Sequence, residues 1–168
     1  VELNDSYFIK KYLESLDISE RNKKDLIDYI GMKSKIDIDS LFRELKLPKR
    51  KYEELSDLMA IDGPIGLTNK IKKFSDKYSY DCNKSLKSLR NISSKIKNLK
   101  HIELCIDLCS SESMGYESGF NYSFYVENLG KPLAIGGRYE AYKHSQKTIR
   151  YATGFSIDLK DIITIHEK

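Results

Sequence analysis

The hydrophobic period of this chain changes once, after Lys100, and that change limits the fold more than any other feature. Upstream, apolar residues recur at the spacing of a helix face, about 3.6 residues; downstream they alternate with a period of about 2, the spacing of a strand. Asn4 is expected to cap a first helix carrying Phe8, Tyr12, Leu13 and Leu16. Ser19 caps a second, with Leu26, Ile27 and Ile30, that stops at Gly31. Ile38, Leu41, Phe42 and Leu45 mark a third, and Tyr52, Leu55, Leu58 and Met59 a fourth beyond Pro48. Asp62-Gly63-Pro64 reads as a turn, after which Leu67, Ile71, Phe74 and Tyr78 form another stripe. Asp81 opens a longer helix, with Cys82, Leu86, Leu89, Ile92, Ile96 and Leu99 on one side and Lys84, Lys87, Arg90, Lys95 and Lys97 on the other.

Beyond the switch, Ile102, Leu104 and Ile106 alternate with Glu103, Cys105 and Asp107 as a strand. Residues 119–126 are a second, with Phe120, Tyr122, Phe124 and Val126 on one face, and Asn128-Leu129-Gly130-Lys131 is hairpin-turn chemistry. A third strand runs through Ile135 with its exit at Gly136-Gly137, a fourth from Tyr151 to Ile157, and Asp158 starts a last helix. Helices followed by mostly antiparallel strands and a helix make an α+β fold.

At 168 residues and 40% hydrophobic content the chain can bury one real core. No apolar run approaches the roughly 20 residues of a membrane span, and no signal-peptide pattern opens the chain. It starts at Val1 rather than methionine, and is expected to be a piece of something longer. Residues 1–100 carry 22 Lys and Arg against 16 Asp and Glu; residues 101–168 carry 7 against 9. The basic half reads as a Lys-rich solvated helix surface or as a nucleic-acid face. Cys82, Cys105 and Cys109 form no C-x-x-C pair, and His101, His144 and His166 are scattered. Free thiols in a reducing cytoplasm are expected, with no metal, no cofactor and no nucleophilic triad.

Four segments in order resemble the histidyl-tRNA synthetase family. They are the small-helix region ending near Tyr78; the strand Ile102–Asp107 with Met114-Gly115-Tyr116-Glu117-Ser118-Gly119; Gly136-Gly137-Arg138-Tyr139-Glu140; and Thr153-Gly154-Phe155-Ser156-Ile157. The second is similar to the family's R-G-L-D-Y-Y-T-G, the third to G-G-R-Y-D, and the fourth to the V-G-F-A-I of class II motif 3. The resemblance implies part of a class II synthetase-like antiparallel sheet. Residues 1–78 would be a helical insertion subdomain, and residues 79–168 the C-terminal half of the core. Nothing here matches motifs 1 and 2, so further strands of the sheet are expected from elsewhere.

Adenylation brings a carboxylate to a triphosphate and needs fixed cations. The family's arginine that opens R-G-L-D-Y-Y-T-G aligns with Glu112, and the motif 3 arginine with Asp161; the glycine before the latter aligns with Asp158. Acids at cation positions repel a triphosphate, so no catalytic residues are expected. The resemblance implies instead a regulatory subunit of ATP phosphoribosyltransferase, which belongs to the same fold family and lacks aminoacylation. It would act in the cytoplasm in histidine biosynthesis, as a homodimer within a hetero-oligomer with the catalytic subunit. A retained histidine pocket would use Tyr116, Glu117, Ser118, Gly119, Arg138 and Tyr139. Each has a plainer reading: Tyr116 as a packed aromatic, Glu117 as a solvated charge, Arg138 as a surface or interface cation. A second functional reading is a divergent synthetase fragment, whose partner would be tRNA, and a third is some other synthetase-like binding or scaffold domain.

Overall fold

The computed structural model describes residues 1–96, 98–110, 117–143 and 148–166. Its centre is a six-stranded sheet in the order β2-β3-β1-β4-β5-β6. The strands are β1 (Glu2–Asp5), β2 (Asp62–Pro64), β3 (Cys105–Asp107), β4 (Glu117–Phe124), β5 (Ala134–Lys143) and β6 (Thr148–Ile157). β1 runs parallel to β3, with Leu3 opposite Ile106, and every other pairing is antiparallel.

Two expectations for the first 78 residues are corrected. Glu2–Asp5 is a strand between β3 and β4 rather than the lead-in to a helix capped by Asn4. Asp5 is the cap of α1 (Ser6–Glu14), where its Oδ1 accepts the Tyr7 N–H at 3.1 Å. Asn4 is buried within the strand, and its Nδ2 donates to the Ser110 carbonyl. Asp62–Pro64 is an edge strand, paired with β3 from Asp62↔Asp107 to Pro64↔Cys105, rather than a turn. Proline is tolerated there because an outer strand has one row of unpaired N–H positions.

The remaining helices follow the apolar stripes. Ser19 caps α2 (Glu20–Gly31) through the Asn22 N–H. α3 (Lys35–Glu44) buries Ile38, Leu41 and Phe42. α4 (Lys49–Met59), with Pro48 at its N-cap, buries Leu55 and Leu58, and also Glu54. Glu54 accepts the Tyr80 hydroxyl at 2.7 Å and pairs with Lys51 at 2.8 Å, so its charge is matched rather than stranded. α5 (Thr68–Tyr78) follows a 3-10 turn, and α6 (Asn83–Ile96) begins beyond Asp81, which accepts the Asn83 N–H. α7 (Leu159–His166) starts after Asp158.

The core gathers α1 and the later helices against the β3-β1-β4 part of the sheet. Phe8 is fully buried, stacked on Tyr80 at 6.0 Å between ring centroids and edge-on to Phe74. No helix among the described residues is long and apolar enough to cross a membrane.

Candidate functional site

The two sides of the sheet offer different chemistry, and strand alternation decides which residues reach each side. β5 is ten residues long and fully paired with β6, so Gly136 and Gly137 lie inside a strand and not at its exit. The glycines are there for space. A Cβ on Gly136 would sit 2.5 Å from the Tyr122 hydroxyl and 2.7 Å from the Gly154 carbonyl; one on Gly137 would sit 2.8 Å from the Asn121 Cβ.

One row of partners crosses four strands: Asn4↔Asn121 between β1 and β4, Asn121↔Gly137 between β4 and β5, and Gly137↔Gly154 between β5 and β6. Asn4 and Asn121 are buried, and the Asn121 Nδ2 meets no acceptor among the described residues. Beyond them the paired glycines leave a hollow of about 260 Å³, lined by Ile135, Gly137, Tyr139, Gly154 and Ser156 among others. Tyr139 leans over Gly154: a Cβ there would lie 3.4 Å from the Tyr139 ring. Among the described residues no carboxylate or amine side chain lines this hollow.

Arg138 reaches the other side. With Glu140, Gly119 and Phe120 it lines a larger cavity of about 950 Å³ between the sheet and the helices α1 and α6. From α1 come Lys10, Lys11 and Glu14, and from α6 Lys84, Ser85, Ser88 and Asn91. Gly119 has φ +128°, which permits the irregular register between β4 and β5 there, and its N–H donates to Ser6 Oγ at 3.0 Å. The Arg138 guanidinium stacks 4.2 Å from the Tyr151 ring centroid.

The residues expected to share one pocket are therefore distributed. Tyr139 stands over the glycine hollow, while Arg138 and Gly119 line the helix-side cleft. Glu117 lies opposite Tyr139 in the β4–β5 register, with Ser118 next along β4. Tyr116 and Glu112 lie outside the described residues. Sequence reasoning missed Asn121 and Glu140. The signal for Asn121 was an amide between Phe120 and Tyr122, where alternation sends it to the opposite face; for Glu140 it was an acid two residues from Arg138, on the same face.

At the motif 3 end, the acids aligned with the missing glycine and arginine have local structural partners. Asp158 Oδ1 accepts the N–H groups of Lys160 and Asp161, as a helix cap does. Lys131, from the β4–β5 turn, reaches Asp158 at 3.2 Å and Asp161 at 2.8 Å. The Lys131 ammonium, with the backbone N–H of Asp161, holds the Asp158 carboxyl below its usual range.

The family model for histidyl-tRNA synthetase matches residues 1–162. The chain is similar to the ATP phosphoribosyltransferase regulatory subunit of Clostridium botulinum (strain Langeland / NCTC 10281 / Type F). The two are 29% identical over 174 residues, covering 100% of this chain and 40% of that protein. The chain thus spans about 40% of the length of that curated relative. Among solved structures, histidyl-tRNA synthetase from Nostoc sp. PCC 7120 superimposes with a TM-score of 0.74 at 24% identity, covering 98% of this chain and 41% of that one. A chain of the ATP phosphoribosyl transferase (HisG:HisZ) complex from Thermotoga maritima superimposes with a TM-score of 0.65 at 16% identity, covering 93% and 52%. At those identities the two likenesses speak for the architecture, that of class II synthetase-like folds. With the family match over nearly the whole chain, they lead to one assignment: this chain belongs to the histidyl-tRNA synthetase family.

Proposed function

We propose that the chain is part of a non-catalytic regulatory subunit of ATP phosphoribosyltransferase, binding the catalytic subunit and histidine in the cytoplasm. The observation that carries the reading is the Lys131–Asp158–Asp161 cluster. Where the resemblance calls for a free arginine facing a triphosphate stands Asp161, already paired with Lys131, and at the preceding glycine position stands Asp158, which caps a helix start. A triphosphate brought to that place meets carboxylates and has to compete for Lys131. Similarity to proteins named as regulatory subunits points the same way.

A homodimer within a hetero-oligomer is part of the proposal. It draws support from the apolar side chains that β6 and α7 expose, among them Phe155 and Leu159. The test is histidine-dependent ATP–pyrophosphate exchange by the protein that contains this chain, alongside co-purification with the catalytic subunit. Exchange at background level with a stable complex is the expected result. Exchange well above background, or no complex at micromolar concentration, overturns the reading.

A further inference from the structure

We infer that the groove between α5 and α6 binds a compact phosphate-bearing anion, with Lys72 on one wall and Lys87 and Arg90 on the other. The groove shares no lining residue with the glycine hollow or with the Lys131–Asp158–Asp161 cluster, so the inference stands apart from the proposed regulatory function.

The case starts from where the charge sits. α6 carries Lys84, Lys87, Arg90 and Lys95 and no acid, and α5 carries four lysines against Asp76 alone. The rest of residues 1–100 holds 14 Lys and Arg against 15 Asp and Glu. The whole basic excess of that half therefore lies on these two helices.

Pairing separates these cations from an ordinary lysine surface. Elsewhere lysines find acids: Lys33 meets Asp62 at 2.8 Å, Lys51 meets Glu54 at 2.8 Å, and Lys77 at the end of α5 meets Asp57 at 2.7 Å. Lys72, Lys87 and Arg90 have no described ion pair or hydrogen bond. Lys87 and Arg90 stand three apart on α6, so they share a face and repel each other. Lys72 faces the same groove from α5. A phosphate group between the three relieves that repulsion and takes charge-assisted hydrogen bonds from each.

The groove holds about 560 Å³, the size of a small-ligand site. Buried Tyr80 and Leu86 line it, and Asn91 adds an amide. Of its two acids, Asp81 accepts from the Asn83 N–H and Nδ2 at the start of α6. Asp76 has no described partner, stands one turn from Lys72, and opposes an anion there. A nucleic-acid strand fits less well, because the helices offer no free ring for a base to stack on. Phe74 is buried, Tyr78 leans on it at 4.9 Å between centroids, and α6 has no aromatic residue.

The test is calorimetry on the protein that contains this chain with inorganic pyrophosphate, a nucleoside diphosphate and a single-stranded RNA oligomer. Pyrophosphate is expected to bind and to raise the unfolding midpoint. Lys87→Gln combined with Arg90→Gln should weaken it about tenfold or more, the worth of hydrogen bonds to a charged group. Asp76→Asn should tighten it, a change in the direction that a damaged fold does not produce. Lys35→Gln, at an exposed lysine outside the groove, should leave it unchanged. Tighter binding of pyrophosphate than of the nucleoside diphosphate identifies the free anion as the ligand, and the reverse identifies a phosphate ester; both support the site. No heat from either phosphate at millimolar concentration overturns it. So does binding that ignores the α6 substitutions or falls equally with Lys35→Gln. RNA bound through Lys87 and Arg90 while pyrophosphate stays inert overturns it in favour of a nucleic-acid surface.

Discussion

The two ends of the sheet are built to different standards of closure. Around β1, β3 and α1, the helices cover nearly every apolar side chain: Phe8, Leu26, Ile30, Leu58 and Ile106 are all fully buried. Around β6 and α7, residues of the same kind face outward, with Phe155 72% and Leu159 68% exposed, beside Tyr151 and Ile163. β6 is also the outer strand of the sheet, with no partner on one backbone edge among the described residues. Hydrophobic content alone does not distinguish the two ends. The first end meets its demand for burial inside the chain, and the second presents its apolar surface for something else to cover.

The contrast makes quantitative demands. Its largest is at Phe8: Phe8→Ala should cost about 3–5 kcal/mol in denaturant unfolding, the usual range for emptying an aromatic site in a core. A loss below about 1 kcal/mol would mean that the helix-covered end is loosely packed after all. Next comes an exception within the open half. Gly137→Ala forces a methyl against the Asn121 Cβ at 2.8 Å and should cost about 1–3 kcal/mol, whereas Gly154→Ala meets the Tyr139 ring at an ordinary 3.4 Å and should be milder. Equal midpoints for the two variants would show that the row is not tight. At the seam between the halves, Asp5→Ala removes the α1 cap and should cost about 0.5–2 kcal/mol. The smallest effect belongs to the open end: Phe155→Ser should change stability by less than about 0.5 kcal/mol, yet reduce self-association in sedimentation runs. If Phe155→Ser destabilises as much as Phe8→Ala does, the comparison fails.

What was legible in the sequence follows the same division. The stripes of α2, α3 and α4 were readable because each repeats over two or more turns, and Ser19 and Asp81 announced their caps. β1 was not readable. Glu2-Leu3-Asn4-Asp5 holds one apolar residue and two helix-capping types, and its burial depends on Ser110, Ser85 and strands more than a hundred residues away. β2 was hidden by Gly63 and Pro64, which local chemistry assigns to a turn. At the site, the motif Gly136–Glu140 was found but its placement was not: a glycine pair suggests a chain leaving a sheet, and only the Tyr122 and Asn121 side chains reveal why it stays. That Arg138 and Tyr139 would part to opposite faces was available from alternation, once β5 was known to run unbroken through them.

The parallel pairing of β1 with β3 bears on how the molecule comes to be folded. β1 pairs on both sides only once residues 105–107 and 117–124 exist, since its two neighbours are β3 and β4. On a growing chain, Leu3 cannot meet Ile106 until about a hundred further residues have left the ribosome. The helices between, made of local contacts, are free to form in the meantime, and the slow event is the return of Ile106 to Leu3 across a closed loop of that length. The β3-β1-β4 part of the sheet is therefore closed late, by segments about a hundred residues apart in sequence.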